Sequence, residues 1–174
     1  MDLNKFAKEA YENAVAHGFW DEERPVEETM ALVHSEWSEA LEEYRNKRDM
    51  VYYNPGSRKP EGIAVELIDG CIRILDFLCK VGAKFELDSV ELEGIAAQQA
   101  PEVFGANAKH LPYIVGVLHA LTTRAFVNAA DRCFSACIGT VFYYIRSQGL
   151  DPEAILMQKH EYNKTRPYKH GKVC

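Results

Sequence analysis

Apolar residues recur at intervals of three and four along most of this chain, and this periodicity is the feature that most restricts its fold. One such stripe lies between Pro25 and about Arg48 and consists of Met30, Val33, Trp37, Leu41 and Tyr44. No stretch shows the period-two alternation of a half-buried strand. The sequence therefore predicts an all-α fold, an antiparallel bundle of helices.

Turn-forming residues divide the first half of the chain into three predicted helices. Gly18 ends a helix over residues 3–17, as glycines commonly do. A second helix covers residues 25–48, with its proline in the first turn. Turn chemistry throughout residues 53–60 separates it from a third helix at about residues 61–81. We expect the second and third helices to form an antiparallel hairpin.

The second half of the chain is less uniform. Pro101 and Gly105 interrupt residues 83–109, which predicts short helical pieces and loops there. The helical pattern returns over residues 111–148, with a kink or break inside it, because such a length is unusual for one globular helix. Asp151 and the proline after it then start a last helix.

Length and composition predict one domain over residues 1–174. The chain has 47% hydrophobic residues and a net charge of −6, so it can bury a core but lacks the basic surface that broad nucleic-acid binding needs. Five cysteines, an odd number, stand mostly among apolar positions and suit reduced thiols. The first twenty residues mix charges into every turn, unlike a signal peptide, and no membrane span is apparent. We therefore expect a cytoplasmic protein.

Two acidic pairs stand on the predicted helical hairpin. Glu36 and Glu39 lie on the second helix, and Glu66 and Asp69 on the third. Residues three apart on a helix are neighbours, about 5–6 Å between their Cβ atoms. Most of the third helix is apolar outside the narrow arc of its acids, so these carboxylates are expected at the edge of the core.

Converging carboxylates repel one another unless their pKa values rise or a hard cation joins them. Oxygen ligands alone favour Mg²⁺, or Mn²⁺ in its place, over zinc. Magnesium commonly binds through carboxylates together with substrate phosphates, so the pattern indicates phosphoanhydride or phosphate-ester chemistry. Either pair alone is more often ordinary helix surface. A di-iron carboxylate bundle is excluded, because none of the six histidines has a glutamate three residues before it.

Three segments in order resemble the MazG-like branch of the all-α NTP pyrophosphatase superfamily. They are residues 32–45 and 59–69 around the acidic pairs, and a tail with Lys159, residues 162–167 and residues 170–172. The resemblance covers roughly residues 10–82 and 143–173. The chain departs from the compact family pattern at about residues 83–142, and we call this segment the insertion. The resemblance then implies a core of residues 1–82 and 143–174, with extra helices inserted before the last helix.

The resemblance implies an activity. Water would attack a phosphorus of a nucleoside triphosphate, typically the α-phosphorus, and release the monophosphate and pyrophosphate. Glu36, Glu39, Glu66 and Asp69 would hold the metal, and Glu36 or Glu39 would help to activate the water. A homodimer or a dimer of dimers is also implied.

Further residues are candidates for contact with the substrate. Lys59 precedes the third helix and either meets the triphosphate or is a solvated loop charge. Trp20 would stack on a nucleobase or hold a helix to the core. In the tail, the resemblance favours Asn163, Arg166 and Lys172 as nucleotide contacts, and Lys159 as another, over a merely solvated terminus. Asp76, two turns after Asp69 on the third helix, would be a further metal ligand or would pair with Arg73 or Lys80.

The sequence leaves two other functions open. One is a dUTP- or dCTP-directed diphosphatase, which would share the metal chemistry. The other is a helical module that senses nucleotides without catalysis, against which the four carboxylates argue.

Overall fold

The computed structural model describes residues 1–56, 58–103, 105–128 and 131–171. These residues form seven α-helices, two short 3₁₀ turns and a two-stranded antiparallel hairpin. The helices are α1 (Leu3–Ala16), α2 (Val26–Arg45), α3 (Ile63–Lys80), α4 (Ser89–Val103), α5 (Leu111–Asn128), α6 (Asp131–Ser147) and α7 (Pro152–Lys164). The all-α fold is therefore confirmed.

Local chemistry explains the limits of the first and last helices. The Asp2 side chain accepts hydrogen bonds from the backbone of residues 4 and 5 and caps α1. Gly18 follows that helix with a φ of +77°, a left-handed conformation that glycine adopts without steric cost. Asp151 caps α7 by accepting from the Glu153 backbone, and Pro152 is the first helical residue. These ends agree with the predictions to within a residue or two.

Helices α2 and α3 pack as an antiparallel hairpin, as predicted. Their facing residues run in opposite directions, since Glu36 contacts Arg73 and Trp37 contacts Gly70. The connection contains β1 (Tyr52–Tyr53) and β2 (Pro60–Glu61), which pair antiparallel. Neither strand is recognisable in the sequence, because a two-residue strand is too short to show alternation.

The prediction of short pieces over residues 83–109 is wrong for most of that range. Residues 89–103 form one continuous helix, α4, with Pro101 in its last turn. A proline that close to the end removes one helical hydrogen bond without stopping the preceding turns. The predicted interruption of residues 111–148 is confirmed, because Thr122 of α5 and Cys137 of α6 are in contact, whereas fifteen residues of one continuous helix would place them about 22 Å apart.

The insertion contributes to the same core as the rest of the chain. Helix α2 lies between α3 on one side and α5 on the other. Leu118 of α5 and Phe142 at the boundary of the insertion are fully buried in one cluster with Trp37 and Ile68. The insertion thus packs against the hairpin of α2 and α3, which carries the acidic pairs.

Among the described residues, no helix is both long and apolar enough to cross a membrane. Cysteines 71, 79, 133 and 137 are free thiols in the structure. Cys174 lies outside the described residues.

Candidate metal centre

Three of the four predicted ligands converge where α2 and α3 face each other. Carboxylate oxygens of Glu36, Glu39 and Glu66 all lie within 4.8 Å of one another, and we call these residues the carboxylate cluster. Glu36 and Glu66 are 5% and 9% exposed, whereas Glu39 faces solvent. The cluster is therefore open on the Glu39 side and closed on the other.

A close contact between the two helices sets this separation. A Cβ atom built on Gly70 would lie 2.2 Å from Cζ3 of Trp37, so only glycine allows the indole to pack at this point. Trp37 itself is fully buried, next in sequence to Glu36. The glycine lets the backbones of α2 and α3 approach, and the acids on both helices approach with them.

Burial changes the ionisation of two members of the cluster. It raises the pKa of the Glu36 carboxyl to about 7, where Arg73 acts against the rise and Asp69 adds to it. Burial and then the charge of Asp69 raise the pKa of Glu66 to about 8, against the effect of Lys159. Both acids thus hold protons near neutral pH that a bound cation would displace.

Arg73 is a member of the site that the sequence analysis did not assign. Its Nε atom donates to Glu36 Oε1 over 2.6 Å. Arg73 stands four residues after Asp69 on α3, so the two side chains share one face of the helix. This spacing alone indicates that Arg73 lies near the acids. It offsets part of the charge of Glu36.

The fourth predicted ligand, Asp69, lies beside the cluster and has a protein cation as partner. Lys159 Nζ of α7 lies 2.7 Å from Asp69 Oδ2. The lysine is only 2% exposed, so its ammonium is held inside the protein. Lys159 therefore contacts an acid of the site, where the sequence analysis expected a contact with substrate.

Two tail residues predicted to meet substrate line a small pocket next to Asp69. The pocket has a volume of about 90 Å³, and Asn163, Arg166, Arg24 and Phe19 are among its lining residues. Asn163 is 7% exposed, and its Oδ1 atom has no hydrogen-bond partner among the described residues. A buried acceptor without a hydrogen bond costs free energy. A ligand that donates a hydrogen bond to Asn163 would remove this cost.

The remaining predicted contacts differ in where they lie. Lys59 forms an ion pair with Glu61 at 2.8 Å. Burial acts to lower the pKa of Lys59, but Glu61 and the charges of Glu66 and Asp69 raise it. The ammonium of Lys59 therefore lies near the acids of the site. Trp20 donates its indole N–H to Asp76 Oδ1 over 2.8 Å. Lys172 lies outside the described residues.

Asp76, a candidate for a further ligand or for an ion pair, interacts with several groups of the protein itself. Burial raises its pKa to about 7, while Trp20 and then Arg24 act to lower it. Arg24 also lies over the rings of Phe19 and Trp20, each at 5.8 Å from the centroid. Asp76 thus pairs with Trp20 in the structure, and the charges of Arg73 and Lys80, its predicted partners, also act on it.

The donor set fits a hard divalent cation. All three cluster ligands are carboxylate oxygens, the type that Mg²⁺ and Mn²⁺ prefer. Oxygens on opposite sides of one Mg²⁺ ion are about 4.2 Å apart, since each Mg–O distance is about 2.1 Å. The three cluster oxygens all lie within 4.8 Å of one another, so small side-chain adjustments would bring them onto one ion, and the charge of Asp69 acts on both buried acids.

Fold and site together define an all-α protein with a candidate carboxylate metal centre. No protein-family model matches the chain, and no curated protein or solved structure matches it significantly.

Proposed function

We propose that this chain is a Mg²⁺-dependent nucleoside triphosphate pyrophosphohydrolase of the MazG-like kind. It would hydrolyse nucleoside or deoxynucleoside triphosphates to the monophosphate and pyrophosphate. The observation that carries the proposal is the convergence of three carboxylates on two facing helices, two of them with pKa values raised by burial. Once these acids ionise, such a cluster is repulsive without a cation, and a cation there would recruit phosphates.

Basic groups near the cluster support a phosphate substrate. Lys59 lies close enough to Glu66 and Asp69 for their charges to raise its pKa. Arg166 and Arg24 line the pocket beside Asp69. In a chain of net charge −6, cations gathered beside acids suit a ligand that brings its own negative charge.

The exposed carboxylate is the best placed to handle the attacking water. A bound Mg²⁺ would supply charge stabilisation for the phosphates. Glu39 faces the open side of the cluster, where water and substrate arrive, and is positioned to accept the proton of that water. Glu36 is held by Arg73 on the closed side, so it serves mainly to orient the metal.

One observation favours a second candidate, a nucleotide-sensing module without catalysis. Arg73 and Lys159 already compensate Glu36 and Asp69 inside the protein. A site in which protein cations satisfy two of four acids has less need of a metal. A dUTP- or dCTP-directed diphosphatase, by contrast, would use the same cluster and differ in the nucleotide accepted.

The proposal is tested by pyrophosphate release from a panel of triphosphates with Mg²⁺, with diphosphates assayed for phosphate release. We compare the native chain with Glu39→Gln, and use Glu42→Gln, exposed on the same helix, as a matched control. We expect release by the native chain and the control, and a loss of at least a hundredfold in Glu39→Gln. Equal release by all three, or none from the native chain while it binds nucleotide and Mn²⁺, would reject catalysis at this cluster.

A further inference from the structure

A second cavity lies away from the carboxylate cluster, among the helices of the insertion. It has a volume of about 760 Å³ and is bounded by α4, α5, α6 and the connection between α3 and α4. This volume is in the range of pockets that hold small organic ligands. None of its lining residues belongs to the cluster or to the pocket beside Asp69.

Small residues on facing helices create this space. A Cβ atom on Gly139 would lie 2.5 Å from the Leu92 carbonyl oxygen, so α4 and α6 touch at that point. One turn further along each helix, Ala96 and Ala136 line the cavity with single methyl groups. The helices are thus in contact at one end and leave a gap where neither side chain is large enough to fill it.

The walls and the rim of the cavity differ in chemistry. Its walls include Leu92, Val117 and Leu121, which are buried or half-buried apolar side chains. The exposed side chains of Lys84 and Arg132 stand at the rim. No ion pair joins either of them to a carboxylate whose side chain the structure describes.

The rim is therefore positively charged in an acidic protein. Glu86 is the acid among the lining residues, so the two cations leave the cavity a net charge of +1, against −6 for the whole chain. Cations at the mouth of an apolar cavity favour a ligand with an anionic head and a hydrocarbon body.

We propose that this cavity binds a small amphipathic anion, with its hydrocarbon part between α4, α5 and α6 and its carboxylate at Lys84 and Arg132. This site is independent of the proposed hydrolase activity, because it shares no residue with the carboxylate cluster. The ligand class follows from walls that are mainly apolar, with Ser135 and Thr140 as polar exceptions, and from a rim that favours negative charge.

The test is isothermal titration calorimetry of the full chain with octanoate, decanoate and dodecanoate, each below its micelle concentration. We expect the affinity to rise about threefold to fourfold for each added methylene, as the transfer of apolar surface from water requires. Decanol is the uncharged comparison ligand. Arg132→Gln should weaken decanoate about twofold to fivefold and leave decanol unchanged.

Two further variants keep the result interpretable. Arg124→Gln removes an exposed arginine on α5 that does not line this cavity, and it should bind decanoate as the native chain does. Ala136→Phe places an aromatic ring between α4 and α6 and should weaken the binding of both decanoate and decanol, with its circular dichroism spectrum reporting the fold. Affinity that does not depend on chain length, or equal losses in Arg132→Gln and Arg124→Gln, would overturn the proposal. So would a dimer that covers this face and excludes decanoate.

Discussion

The indole N–H of Trp37 donates a hydrogen bond to the hydroxyl of Thr122 over 3.0 Å, and both residues are fully buried. Thr122 in turn donates to the Leu118 carbonyl over 2.8 Å. The bond ties α2, which carries Glu36, to α5 of the insertion. The opposite side of the same indole covers Gly70 of α3. One side chain therefore fixes α2 between its two neighbours and, with it, the spacing of the carboxylate cluster.

Replacing Thr122 with valine should destabilise the protein by about 1–3 kcal/mol. Valine keeps the shape of threonine but leaves the Trp37 N–H buried without an acceptor. The measurement is the free energy of unfolding in urea, with Thr122→Ser as the matched control because it retains the hydroxyl. A valine variant as stable as the native chain would show that the bond does not hold α2.

The same indole gives a second prediction from the other side. Gly70→Ala places a methyl group where Trp37 now stands, and overpacking of this kind costs about 1–3 kcal/mol. The displaced helices should also bind Mn²⁺ more weakly. Gly94→Ala in α4 is the control, since a Cβ there meets nothing within 4 Å and alanine favours a helix. A Gly70→Ala variant that keeps both stability and Mn²⁺ affinity would contradict the role assigned to this contact.

The pH dependence of stability should reveal the cost of ionising the cluster. Burial raises the pKa of Glu36 to about 7 and that of Glu66 to about 8, above their usual value of 4.5. The folded state therefore binds more protons than the unfolded chain between these values. The contribution of Glu36 and Glu66 to the free energy of unfolding is therefore fully present below pH 4.5 and is lost as pH rises through 7 and 8.

A divalent cation should reverse that loss. Mg²⁺ at a hundred times its dissociation constant would add about 2.7 kcal/mol to the free energy of unfolding. We expect the rise in Tm caused by Mg²⁺ to be small at pH 5 and large at pH 8.5. Glu66→Gln should be more stable than the native chain at pH 8.5 without metal and respond less to it. An equal Mg²⁺ effect at both pH values, or in both proteins, would argue against binding at the cluster.

The local part of this site followed from the sequence, and the long-range part did not. Glu36 and Glu39 share a face because they are three residues apart, and the connection that contains β1 and β2 brings that face to Glu66. Helical periodicity is a local signal, so α2 and α3 were predictable. No such signal connects Lys159 to Asp69, which are ninety residues apart and meet only because α7 packs on α3.

Two features of the fold were missed for physical reasons. Pro101 suggested a broken segment, but its position in the last turn of α4 makes it compatible with a continuous helix. The sequence left the role of the insertion open, whereas the bond between Trp37 and Thr122 makes α5 part of the support of the site. Contacts between distant segments decide both the partner of a residue and the role of a helix, and periodicity carries no information about them.

Lys159 forms an ion pair with Asp69, and replacing this lysine tests whether it stabilises the fold or only contacts substrate. Removing one partner of a buried ion pair leaves an uncompensated charge, which costs about 3 kcal/mol or more. Lys159→Met should therefore lower the free energy of unfolding, whereas a lysine used only for substrate would leave it unchanged. The loss should be smaller in the double variant with Asp69→Asn, because that change removes the stranded carboxylate.

Mg²⁺ supplies the second half of this test. Without Lys159, the charge of Asp69 adds to the repulsion that already raises the pKa of Glu66, so a cation should be needed more. Mg²⁺ should raise the Tm of Lys159→Met by more than that of the native chain, at pH 8 and equal metal concentration. Lys164→Met, which removes an exposed lysine of the same helix paired with Glu161, should behave as the native chain does. If both lysine variants match the native chain in stability and metal response, the buried ion pair does not compensate the acids of this site.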